Sequence, residues 1–247
     1  MYPSEPQRSS GDLNFPLFGF PVRIHPLFWL VTAAMGMRSR DLKELLAWVL
    51  AIFLAILVHE LGHAFVMRSF GFHPWITLYG FGGLTSRSAG GYNRGRGESS
   101  LAQITISAAG PAAGFLLAIA VVFLLSATGH EVSIELLGGV VPNVEFSQVG
   151  SLPLTLFVYH LLQVSIIWGI VNLLPIYPMD GGQIMREIIM RLNQREGLQI
   201  SLVISLVTAG AMALVSFFRF NDTFMGIFFL YLAFISYTSL GGMMGRR

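Results

Sequence analysis

Residues 51–71 read AIFLAILVHELGHAFVMRSFG, and this stretch decides the fold. It completes an unbroken apolar run, Leu45–Val58, that contains no Pro or Gly. A helix is therefore already formed where His59-Glu60-Leu61-Gly62-His63 begins, and Gly71 is a natural stop beyond it. Positions i and i+4 of a helix lie nearly above one another, so His59 and His63 point at a common spot. Two imidazoles so placed can bind one Zn²⁺, and Glu60 beside them can take a proton from water. Ionisable residues are costly inside a membrane, so three of them beside an apolar run point to function. The competing reading is a fortuitous HExxH on a packed helix; the membrane setting and a third ligand candidate weigh against it.

Of the 247 residues, 54% are hydrophobic and only 11% charged, against about 25% charged in soluble domains. The composition is that of an integral membrane protein with one membrane domain. A formal charge of +2 is too small to imply nucleic acid. The chain has no cysteine, which excludes disulfides, thiolate ligands and a cysteine nucleophile, so any metal site must use His, Asp or Glu. Pro3, Pro6, Pro16 and Pro21 interrupt the start, and no cleaved signal peptide is expected.

The pattern along the chain predicts an all-α polytopic membrane protein of about six transmembrane helices, with a small β-hairpin or re-entrant loop between the second and third. Residues 1–23 form a polar and interfacial segment: Met1–Gly11 is expected to be disordered, and Asp12–Val22 to lie along the membrane surface. The membrane domain covers 24–242, and 243–247 is a basic tail. Ile24–Met37 is the first span, although shorter than the roughly 20 residues a crossing needs. Leu45–Phe70 is the second and carries the motif. Trp75-Ile76-Thr77-Leu78-Tyr79 is β-prone, Gly80-Phe81-Gly82-Gly83 signals a turn, and Leu84-Thr85-Ser86 returns as a strand. Gly90–Gly97 reads as a solvated loop. Leu101–Ala127 is the third span, in which Gly110-Pro111-Ala112-Ala113-Gly114 lets another helix approach closely. Thr128–Ser151 is a polar loop. Leu152–Leu174 is the fourth span, ended by Pro175-Ile176-Tyr177-Pro178-Met179-Asp180-Gly181-Gly182. Gln183–Gln194 is an amphipathic surface helix, and Leu198–Phe218 and Thr223–Leu240 are the last spans.

With six spans, eleven Lys and Arg fall on the side of the termini and four (Arg38, Arg40, Lys43, Arg219) on the other. The positive-inside rule then puts both termini in the cytoplasm and the Thr128–Ser151 loop outside. The motif and the Asp180 turn come out at the cytoplasmic end.

A catalytic zinc has three protein ligands and an open position. Glu131, Glu135 and Glu145 lie on the wrong side of the membrane. Glu98 and Glu187 read as solvated charges, and His25, His73 and His160 as hydrogen-bonded structural histidines. Asp180, in a helix-breaking turn at the right depth, is the third ligand expected.

The pair of motifs, His59-Glu60-Leu61-Gly62-His63 and Asn172-Leu173-Leu174-Pro175-Ile176-Tyr177-Pro178-Met179-Asp180-Gly181, resembles the site-2 protease family of intramembrane zinc metalloproteases. The Gly110-Pro111 segment and the glycine-rich Tyr79–Leu84 stretch resemble it too, in a short form without PDZ or CBS domains. The resemblance implies that His59, His63 and Asp180 bind one Zn²⁺ per chain, that Glu60 is the general acid/base, and that Asn172 positions substrate or stabilises the oxyanion. It implies a hairpin that aligns substrate, for which the candidates are Trp75, Ile76, Thr77, Leu78, Tyr79, Gly82, Gly83 and Leu84. An unwound substrate helix needs replacement backbone hydrogen bonds, and strand addition supplies them. The expected partners are a membrane-helix protein substrate, an upstream site-1-type protease and the lipid bilayer. The expected location is a bacterial or archaeal plasma membrane. Two other classes stand against a protease. A zinc transporter needs ligands strung along a pathway, and an inactive helix-binding relative usually lacks the glutamate or a ligand.

Overall fold

A computed structural model of the chain describes residues 5–37, 39, 41–80, 82–88, 99–137 and 141–244. In chain order these form β1 (Leu13–Leu17), β2 (Phe20–Ile24), α1 (Pro26–Met35), α2 (Leu42–Ser69), β3 (Pro74–Tyr79), β4 (Gly82–Arg87), α3 (Ser100–Ala127), β5 (Val132–Leu137), β6 (Val141–Phe146), α4 (Leu152–Asn172), α5 (Asp180–Leu192), α6 (Gly197–Phe218) and α7 (Thr223–Met244). Among the described residues, α2, α3, α4, α6 and α7 are long and apolar enough to cross a membrane. The fold is a polytopic helical membrane protein with small sheets. Glu98, the Gly90–Gly97 loop, Phe81 and most of the basic tail lie outside the described residues.

Two compact units divide the chain, one drawn from Ser4–Arg94 and Ala109–Val171, the other from Met1–Pro3, Gly95–Ala108 and Asn172–Arg247.

In the first unit α2 is the axis. Asp41 caps it by accepting from the Glu44 N–H at 2.8 Å, and Gly71, at φ +85°, follows its end. Its 28 residues make it about 42 Å long. The first expected span is the exception to the helix pattern. Ile24 belongs to β2, His25 caps α1 through Nδ1, Pro26 starts it and Gly36 ends it. The remaining 10 residues rise only about 15 Å, too little to cross. The chain still travels back along α2. The His25 N–H donates to the Leu78 carbonyl at 2.9 Å, while Gly36 meets Leu45 and Trp48 near the start of α2.

A four-stranded sheet, ordered β1-β2-β3-β4, lies against the motif end of α2. β1 and β2 form a hairpin where only an interfacial segment was expected. Phe18 and Gly19, at φ +50° and +81°, make its two-residue turn. β2 then runs parallel to β3, and β3 antiparallel to β4. One face of the sheet, Val22 and Ile24 with Ile76 and Leu78, packs on Ile52, Ile56, Leu57, Leu61 and Ala64 of α2. The other face buries Thr77 and Arg23. A guanidinium so placed needs carboxylates, and Arg23 pairs with Glu5 and Asp12, each at 3.2 Å. Glu5 also accepts from Thr77 and Trp75, so the segment expected to be disordered is bonded from Glu5 onward.

This sheet corrects one expectation. β3 is paired on both sides, at Ile76, Thr77 and Leu78 by β2 and along its length by β4. Of the two hairpin strands β4 is the outer one, so among the residues expected to pair with substrate only Gly82, Gly83 and Leu84 lie on a sheet edge.

The Thr128–Ser151 segment, read as a loop, contains the antiparallel pair β5–β6. Gln163 of α4 donates to the Asn143 side-chain carbonyl at 2.7 Å, and Val144 packs in a cluster with Leu162, Ala118 and Leu125. In the second unit α6 and α7 form a helical hairpin, with α5 beside α6.

Candidate metal centre

α2 carries His59, Glu60 and His63 into a buried position. The two imidazoles face each other with Nε2 atoms 3.2 Å apart and rings inclined at 77°. Two nitrogens bound at 2.0–2.1 Å to one tetrahedral ion lie about 3.3 Å apart, so the pair has the spacing of two ligands of one zinc. α3 supplies the opposite wall. A Cβ on Gly110 would collide with both Nε2 atoms, and one on Gly62 would strike the Ala109 backbone. The small residues of the Gly110–Gly114 segment thus keep free the space an ion would take. Pro111, fully buried in α3, has no N–H and leaves a gap in the helical ladder beside the pair.

Glu60 is held from the sheet. The Thr85 hydroxyl on β4 donates to Glu60 Oε2 at 2.7 Å and lies 3.1 Å from the Glu60 carbonyl. A Cβ on Gly83 would overlap the Glu60 side chain, so glycine is required there. Gly83 and Thr85 are two apart on a strand and share its face. Thr85 had not been singled out from the sequence. The signal was present in the period-2 spacing but needed the knowledge that this face meets α2. Gly82 of the same strand lies against the Trp168 ring of α4.

The remaining expected residues belong to the second unit. Asn172 is buried at the end of α4. The segment after it turns tightly: the Tyr177 N–H donates to Ser205 Oγ at 3.0 Å, and Met179 is the N-cap of α5. A Cβ on Gly181 would overlap the Leu173 carbonyl, and one on Gly182 the backbone of Ile176. Both glycines are therefore needed to start α5 with Asp180 in its first turn.

Several of the rejected candidates have structural partners. His25 caps α1, Glu187 pairs with Arg186 at 3.3 Å, and the Asn143 side-chain amide donates to Glu145 at 3.1 Å. Glu131 and Glu135 are on or beside β5. The His160 ring stands edge-on to Trp48 at 5.1 Å.

Comparison with known proteins gives a consistent picture. Residues 47–215 match the family described as Peptidase family M50. A zinc metalloprotease of Methanocaldococcus jannaschii is 25% identical over 179 residues, 71% of this chain and 44% of that protein. Stage IV sporulation protein FB of Bacillus subtilis is 28% identical over 165 residues, 66% of this chain and 46% of that protein. The chain therefore spans less than half the length of these curated relatives. The solved structure of a site-2 protease from Methanocaldococcus jannaschii has a TM-score of 0.58 at 19% identity, covering 93% of this chain and 95% of that one. At that identity the likeness is one of fold.

Proposed function

The chain belongs to peptidase family M50, and from that premise we propose that it is a zinc-dependent endopeptidase cutting peptide bonds within the membrane-spanning segments of other proteins. The observation that carries the reading is the buried His59–His63 pair beside a hydrogen-bonded Glu60, near the end of an apolar helix. His59, His63 and Asp180 are the ligands of this reading, one zinc per chain. Two imidazoles and one carboxylate are a donor set for a catalytic zinc, which keeps a fourth position open. Zinc, when bound, supplies a Lewis acid that lowers the pKa of water to about 7 and polarises the scissile carbonyl.

The remaining work falls to the chain's own residues. Glu60 takes the proton of the attacking water and delivers it to the leaving amine. The Asn172 amide donates toward the oxygen on which charge develops. β4 receives the unwound substrate as an added strand. Non-helical backbone at membrane depth is tolerated only where protein buries it or water reaches it. An outer strand carrying Glu60's partner is thus suited to a site that needs both water and an extended peptide.

The substrate is a membrane-helix protein, first cut by a site-1-type protease. The proteolytic domain covers 24–242, with the basic tail 243–247 after it. Both termini and the active-site end face the cytoplasm of a bacterial or archaeal plasma membrane. The return path of α1 along α2, from Leu78 near the motif to Leu45 and Trp48, supports an N-terminal segment on the motif side of that helix. A transporter is disfavoured because the two imidazoles stand beside a catalytic-type glutamate on one helix. An inactive relative is disfavoured because His59, Glu60, His63 and Asp180 are all present. The test is cleavage of a single-span substrate in vesicles by the zinc-loaded chain, wild type against Glu60→Gln. Cleavage by the wild type alone is expected; cleavage by both would overturn the reading.

A further inference from the structure

We infer that Thr85 is a positioning residue for the general base, fixing which oxygen of Glu60 takes the proton; this rests on the proteolytic reading above. The hydroxyl has one proton and two acceptors within reach, the Glu60 carbonyl at 3.1 Å and Oε2 at 2.7 Å. The carbonyl belongs to the helical ladder of α2, so the shorter bond to the carboxylate is the one the hydroxyl makes. A hydrogen bond to a charged acceptor is about twice as strong as a neutral one. It therefore holds the carboxylate against rotation about its last side-chain torsion, which is broad in a glutamate left alone. Gly83, two residues earlier on the same strand face, lets the carboxylate lie flat against β4, since any side chain there would push it away. The Thr85 bond draws charge from Oε2 and leaves Oε1 the more basic oxygen, so Oε1 is the one that takes the proton of water.

The outer strand thus has two jobs. Its edge takes the peptide and its inner face sets the base, so a substrate seated on β4 is in register with a carboxylate already oriented. The Thr85 side chain touches neither water nor substrate in this account and acts only through Glu60.

The experiment compares Thr85→Val, Thr85→Ser and Glu60→Gln in the full-length chain reconstituted in vesicles. Zinc content, thermal stability and separate kcat and KM for a single-span substrate are measured. Valine keeps the shape of threonine and removes the hydroxyl; serine keeps the hydroxyl. Thr85→Val should hold zinc like the wild type, keep its KM and lose about 10- to 100-fold in kcat, the worth of a hydrogen bond to a charged group. Thr85→Ser should recover kcat to within about threefold of the wild type, the residual reflecting a looser rotamer. A Thr85→Val chain with wild-type kcat, one that loses zinc, or a serine variant as slow as the valine would each overturn the assignment. In those cases an inactive Glu60→Gln leaves the proteolytic reading standing. If Glu60→Gln itself cuts normally, both fall together.

Discussion

Gly110 has no side chain because two imidazole nitrogens stand where its Cβ would be. At the scale of single residues, this is the most restrictive feature of the centre. His59 and His63 are one helical turn apart and need only α2 to meet, but the space between them and α3 depends on a residue of another helix. Gly110→Ala should therefore reduce zinc content and cleavage together, by about tenfold or more, since the new methyl must displace a ligand or the helix. Gly210→Ala in α6 is the control, for its Cβ would meet nothing within 4 Å. Equal zinc content in the two variants would contradict the packing described. Such constraints are invisible in sequence. The Gly110–Gly114 segment reads as a surface for close helix approach, which is correct, yet only the structure shows that the approach is to the His59 and His63 imidazoles.

At the scale of elements, the sheet explains what the sequence made legible and what it hid. β3 and β4 were legible because a β-branched and aromatic run is followed by glycines. β1 and β2 were hidden by Pro16 and Pro21, which read as breaks. In the sheet the two prolines oppose each other, Pro16 on an edge strand and Pro21 before the residues that pair with β3. Neither therefore removes a donor that an inner ladder needs. The β5–β6 hairpin was hidden by its acidic residues, although Val132-Ser133-Ile134-Glu135 alternates as a strand should. The sheet order also separates the effects of proline. At Ile76 or Leu78, fully buried and paired on both sides, proline should destroy the fold. In a proline scan of 82, 84 and 86, which leaves the Glu60 contacts of Gly83 and Thr85 in place, variants that still fold and hold zinc should cut a helical substrate about fivefold or more slowly, the loss of one backbone hydrogen bond. The defect should be milder for a substrate whose helix is already broken by proline or glycine. Normal rates on both substrates for every folded variant would remove β4 from substrate binding.

At the scale of the whole molecule, the order of spans was legible from apolar runs. The exception is the first, because Ile24–Met37 reads as one apolar run but is divided between the end of β2 and a 10-residue helix. The orientation proposed above, with both termini cytoplasmic, needs a test of its own. Single cysteines placed in this cysteine-free chain test it. A Ser133→Cys chain should react with an impermeant thiol reagent in intact cells, and a Gln194→Cys chain only after the membrane is opened; the reverse pattern would invert the topology. The central claim, that Glu60 does chemistry at a zinc held by its neighbours, is tested most directly by measuring zinc content and substrate cleavage on the same purified samples of wild type, Glu60→Gln and His59→Ala. The account predicts about one zinc per chain in the first two and much less in the third, with cleavage in the wild type only and a fall of at least about 100-fold in both variants. Cleavage by Glu60→Gln at the wild-type rate, or full zinc content in His59→Ala, would contradict it.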